Sequence, residues 1–128
     1  MFRILTITAL LGLLSIVLGA FGAHALKEVL NAEQLESFKT GVFYQLMHVI
    51  VIFIVFASSF FTEKQSKTLS YIFLSAIFLF SGSIYAIHLT SIDVKSIWWV
   101  TPLGGLLFML GWGYMIYIFF NKSLKKTD

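Results

Sequence analysis

Four stretches of about twenty residues each, 4–23, 42–61, 69–90 and 97–120, contain no Asp, Glu, Lys or Arg. Few folds accept that pattern. An α-helix rises about 1.5 Å per residue, so a run of about twenty apolar residues matches the hydrocarbon thickness of a bilayer. Inside lipid every backbone N–H and C=O must be bonded within the protein, and a helix does this along its own length. The composition leads the same way. The chain is 59% hydrophobic and 12% charged, whereas soluble domains are closer to half apolar and a quarter charged. A soluble core built from 128 residues could not hide that much apolar surface from water. The expected fold is therefore all-α: an integral membrane four-helix bundle in one domain spanning residues 1–128. The connections at 62–68 and 91–96 are short, which makes neighbouring helices antiparallel. The chain has no cysteine, so disulfides, thiolate metal sites and cysteine catalysis are excluded.

The ends of two spans carry extra information. Asn31, with Gln34 three residues on, has the form of an N-cap and its capping-box partner. A helix beginning there would add an amphipathic segment before the second span. It could run on through Gly41, since one interior glycine costs only about 1 kcal/mol. Ser37, Gly41, Tyr44, Gln45 and His48 would then share one face at three- and four-residue spacing. The other reading is an interfacial helix that breaks at Thr40-Gly41. Before the fourth span, Trp98 and Trp99 suit the lipid–water boundary. Thr101-Pro102 reads as an N-cap followed by proline at the first helical position.

Placement of Lys and Arg sets the orientation. Arg3, Lys64, Lys67, Lys122, Lys125 and Lys126 fall on one side, and Lys27, Lys39 and Lys95 on the other. The first side, which holds both termini, is the expected cytoplasmic one. Arg3, an apolar run and Ala23-His24-Ala25 also resemble a signal peptide with its cleavage site. The run is longer than the roughly 7–15 residues of such a segment, and Ser15, Gly19 and Ala23 suit close helix packing. These features favour a retained span.

The polar side chains of the spans gather towards the non-cytoplasmic side: His24, Tyr44, Gln45, His48, Ser81, Ser83, Tyr85, His88 and Thr101. Two roles are open to them. They can hydrogen-bond across helices as packing elements of a structural or accessory protein, or they can form the small-ligand site of a carrier or a redox or metal helper, because ionisable groups inside a membrane are costly. His24, Tyr44, Gln45, His48, Tyr85 and Thr101 are the candidate ligand-binding residues. Catalysis is not expected, since no carboxylate lies in any span to orient a histidine. Neither H-x-x-x-H nor E-x-x-H spacing supports a metal or haem, so no cofactor is expected. There is no basic-aromatic surface for nucleic acid. The expected partners are the lipid bilayer and either a second copy or another membrane protein.

The stretch Gly19-Ala20-Phe21-Gly22-Ala23-His24, with Leu26 beyond it, is distinctive. So are Phe38, Thr40-Gly41, Tyr44-Gln45 and His48 in their spacing, Phe80-Ser81-Gly82-Ser83-Ile84-Tyr85, and Leu89-Thr90. Thr101-Pro102-Leu103-Gly104-Gly105 and Gly111-Trp112 complete the pattern. Together, over nearly the whole chain, they resemble the transmembrane protein 256-like family with its bacterial YgdD-type members, a domain of unknown function. The resemblance implies a small multi-span protein of the bacterial cytoplasmic membrane with no established activity. It also argues against cleavage near Ala25. His88 departs from the family pattern, so the resemblance does not extend to a site that needs all three histidines.

The charge placement gives a direct test. Topology reporters fused at Ser91 and at Asp128 should report opposite sides, with Asp128 in the cytoplasm. An external Asp128 would refute the assignment.

Overall fold

The computed structural model describes residues 1–126; Thr127 and Asp128, the second of them a fusion point named above, lie outside the described residues. Four helices are long and apolar enough to cross a membrane. They are α1 (Phe2–Ala23), α2 (Ala32–Ala57), α3 (Glu63–Leu89) and α5 (Val100–Lys126), with one short helix, α4 (Val94–Ile97), before the last.

Local chemistry fixes the ends. The N–H of His24 closes α1 on the carbonyls of Ala20 and Phe21. A 3-10 turn, Ala25–Glu28, follows and buries Leu26. Asn31 then starts α2 with a complete capping box: its side chain accepts from the Gln34 N–H at 2.9 Å, and the Gln34 side chain accepts from the Asn31 N–H at 3.0 Å. Of the two readings of Gly41, the continuous helix is the one observed. Glycine stands there because α3 comes close. A Cβ on Gly41 would lie 3.2 Å from Ile84 and 3.3 Å from Tyr85, and the Gly41 carbonyl accepts a 2.7 Å bond from Ser81 Oγ.

Three expected boundaries shift. The second span ends at Ala57, short of Phe61, because Ser58 is extended and its hydroxyl accepts from the Phe60 N–H. The expected 62–68 connection is mostly helix. Thr62 and Gln65 form a second capping box, so α3 begins at Glu63, with Lys67 bridging to Glu63 at 2.7 Å. Thr101 is not the N-cap of the fourth span. The capping occurs earlier, where the Asp93 carboxylate accepts from the Lys95 N–H to start α4. After Trp98 and Trp99 the chain re-enters a helix at Val100, and the Leu103 N–H bonds to the Trp99 carbonyl. Pro102 still falls in the first turn of α5, where a missing N–H costs nothing.

Packing follows chain order. α2 and α3 form the central pair, α1 lies against α2, and α5 lies against α3. The apolar core between α2, α3 and α5 includes Ile52, Val55, Leu69, Phe73, Ile77 and Phe108. Small residues set the outer contacts. Ser15 is buried, and Gly19 faces Val42, so the small-residue row of α1 meets α2 at Gly19. The closest approach is α5 on α3. A Cβ on Gly104 would lie 2.4 Å from the backbone nitrogen of Phe80, and backbone cannot swing aside. Large apolar side chains such as Phe2, Leu13, Phe78, Met109 and Ile116 face outward. In water that would be a liability; in lipid it is the solvated surface.

Gly104→Ala should therefore push α5 off α3 and lower stability by about 1–3 kcal/mol, the usual cost of overpacking. Gly113→Ala, where nothing lies within 4 Å of the added carbon, should be close to neutral. Thermal unfolding of the two variants in the same detergent checks the contrast.

Candidate functional site

The polar side chains separate into distinct hydrogen-bonded groups spread between the helices. Gln45 points towards α1. Its Nε2 donates to the Leu11 carbonyl at 2.7 Å, and its Oε1 accepts from the Tyr85 hydroxyl at 2.9 Å. One buried amide thus ties α1, α2 and α3 together. Phe38 holds the Tyr85 ring at a centroid distance of 5.3 Å.

His48 lies one turn further along α2 and turns towards α5. Its Nδ1 is 2.8 Å from the Tyr44 carbonyl, and its Nε2 is 3.1 Å from the indole nitrogen of Trp112. A carbonyl can only accept and an indole N–H can only donate. The partners therefore assign the proton to Nδ1 and leave Nε2 as the acceptor, so the ring is the neutral tautomer. Phe108 stacks on it at 3.8 Å between centroids, and Phe73 covers it at 5.2 Å. Both ring nitrogens are occupied.

A third group joins α3 to α5. Ser83 Oγ is 2.9 Å from the Phe80 carbonyl and 2.6 Å from the Thr101 hydroxyl. Ser83 has one proton, which it gives to the carbonyl, so Thr101 is the donor to Ser83. At the membrane edge His88 Nε2 meets Ser37 Oγ at 3.1 Å. Among the described residues no buried side-chain nitrogen or oxygen lacks a partner.

The structure does not join the candidate residues, or the three histidines, in one hydrogen-bonded constellation. His24 is exposed beside a shallow hollow formed with Ala20, Phe21 and Ala25. Its backbone ends α1, and its side chain makes no hydrogen bond to the cluster. His88 pairs with Ser37, and His48 is buried in the other direction. Gln45 and His48 are both buried on α2, but they serve opposite neighbours. Tyr85 and Thr101 also belong to separate groups. Sequence reasoning missed Trp112 as the partner of His48. The available signal was an indole roughly 18 Å along α5 from Val100, too deep for the aromatic belt that explains Trp98 and Trp99.

One open feature adjoins this constellation. A groove of about 740 Å³ lies between α2 and α5, lined by Tyr44, His48, Phe80, Phe108 and Trp112 among others. The Tyr44 ring packs on Phe80 and Phe108, yet its hydroxyl has no hydrogen-bond partner among the described residues.

A family described as a protein of unknown function (DUF423) matches residues 18–105. That segment contains His24, Tyr44, Gln45, His48, Tyr85 and Thr101, and ends before Trp112. A UPF0382 membrane protein of Haemophilus influenzae is 40% identical over 123 residues, covering 95% of this chain and 98% of the relative. The UPF0382 membrane protein YwdK of Bacillus subtilis is 36% identical over 109 residues, covering 81% and 85%. The UPF0382 inner membrane protein YgdD of Escherichia coli K12 is 32% identical over 118 residues, covering 88% and 85%. No solved structure matches. By the extent of these matches, the four-helix membrane chain described here belongs to the DUF423 family, that of the UPF0382 membrane proteins.

Proposed function

We propose that this protein is a non-enzymatic structural or accessory component of the bacterial cytoplasmic membrane, with both termini in the cytoplasm. In this reading the polar residues of its spans are interhelical glue. The observation that carries the proposal is the saturation of the buried polar groups. A ligand site keeps unpaired groups facing a cavity, whereas Gln45, His48, Tyr85, Ser83 and Thr101 are all bonded to neighbouring helices. Catalysis is disfavoured as well. His48 has no nitrogen free to take a substrate proton, and the charge-free runs of the helices hold no carboxylate to orient it. The lysines on the side of the termini support the orientation, and the name of the Escherichia coli relative supports the location. The partners that suit the role are lipid and either a second copy or another membrane protein; nucleic acid is not among them.

Gln45→Leu tests the reading. It removes two interhelical bonds, including the acceptor of the Tyr85 hydroxyl. With polar contacts in membranes averaging about 0.6 and reaching about 1.7 kcal/mol, the loss should be about 1–2 kcal/mol. The variant should unfold at lower temperature in detergent, and any cellular role should decline only with its abundance in the membrane. A fully stable Gln45→Leu protein that loses its cellular role would overturn the proposal.

A further inference from the structure

The groove between α2 and α5 sets a polar group with no partner in the fold among largely apolar walls. Its walls are rich in aromatic rings, with Tyr44, Phe80, Phe108 and Trp112 around it and Gly105 leaving room beside Phe80. The neighbouring polar groups are spent, since the Trp112 N–H goes to His48 and the His48 N–H to a carbonyl. Only the Tyr44 hydroxyl remains. Leu106 and Met109 on the α5 wall are strongly exposed, so the groove opens sideways to the bilayer and takes its occupant from lipid.

These features select a ligand class. A charged or polyhydroxylated molecule would meet one hydroxyl and otherwise hydrocarbon, and would lose its hydration without return. A plain acyl chain would fill the space but leave the phenol O–H unpaired, at a cost that is high where nothing else can bond to it. A flat ring gains from offset or edge contact with the aromatic walls, and an oxygen on that ring accepts from Tyr44. Met47 and Met109, at the sides, adapt to the outline of whatever enters. We propose that this groove binds a lipid-soluble molecule with a flat ring bearing a hydrogen-bond-accepting oxygen, the chemistry of a quinone. This assignment is independent of the interhelical glue, because the Tyr44 hydroxyl contributes to none of the interhelical bonds.

Fluorescence of Trp112 tests it. Trp98 and Trp99 are exposed and are not among the groove walls, so Trp98→Phe and Trp99→Phe together leave Trp112 as the sole reporter. Ubiquinone-1, a short-chain quinone that quenches indole on contact, is titrated into the purified full chain in detergent. Quenching should saturate. Tyr44→Phe should weaken half-saturation by about three- to tenfold, the value of one hydrogen bond, with an unchanged unfolding temperature. Gly105→Leu, whose first added carbon meets only the Phe80 ring at 3.9 Å, should fill the groove and abolish the saturable part. Linear quenching of equal slope in all three proteins would mean that the groove holds only bulk lipid chains, and would overturn the proposal. So would a half-saturation unmoved by Tyr44→Phe, a variant that removes no bond the fold uses.

Discussion

The bond network centred on Gln45 is the constraint on which the arrangement of the first three helices depends. Apolar contact alone cannot place helices in lipid, because the lipid tails are as apolar as the helix surfaces. What distinguishes one register from another is which polar groups find partners and which small residues let backbones meet. Gln45 supplies the first kind of information to α1 and α3 simultaneously. Gly104 supplies the second kind to α5, where only a glycine lets the helix lie on the backbone of Phe80. The apolar core then fills the space these contacts define.

His48 shows how both nitrogens of an imidazole can be committed to the packing of helices. The ring is stacked on Phe108, and each nitrogen is bound to a partner that accepts only one proton state. Protonation at Nε2 would set two donors against each other. The imidazole therefore works as a rigid, two-ended connector between α2 and α5, much as an amide would, with the added benefit of a flat face for packing. At His48 both hydrogen-bonding positions of the ring are in use.

Much of the fold was legible because its signals are local or periodic. Four charge-free runs gave four spans, and the Asn31–Gln34 capping box gave the start of α2. The same Thr-x-x-Gln logic was present at Thr62 and went unread, because an apolar count assigns those residues to a loop while a cap assigns them to a helix. Thr101-Pro102 misled for a similar reason. It is a sound local cap signal, but Asp93 and the turn at Trp98 and Trp99 start the helical path sooner. The site was less legible. Spacing correctly drew attention to Gln45 and His48, but on a helix buried on two sides, residues three apart can turn to different neighbours. Their partners are 34 and 64 positions away in the chain, and no local pattern records which span lies on which flank.

The partner of Gln45 on α1 is a main-chain oxygen, and the same holds for Ser81 against Gly41 and Ser66 against Val55. Every residue type carries that oxygen, so the contact places its demand on one chain position instead of two. A replacement at Leu11 alters packing but leaves the acceptor in place, provided the helix persists. Compensating paired substitutions are then unnecessary at these crossings, and position 11 of α1 is free to vary while its register stays pinned. Covariation between helices should accordingly be weak at such contacts and concentrate at side-chain pairs such as His48 with Trp112 and Ser83 with Thr101.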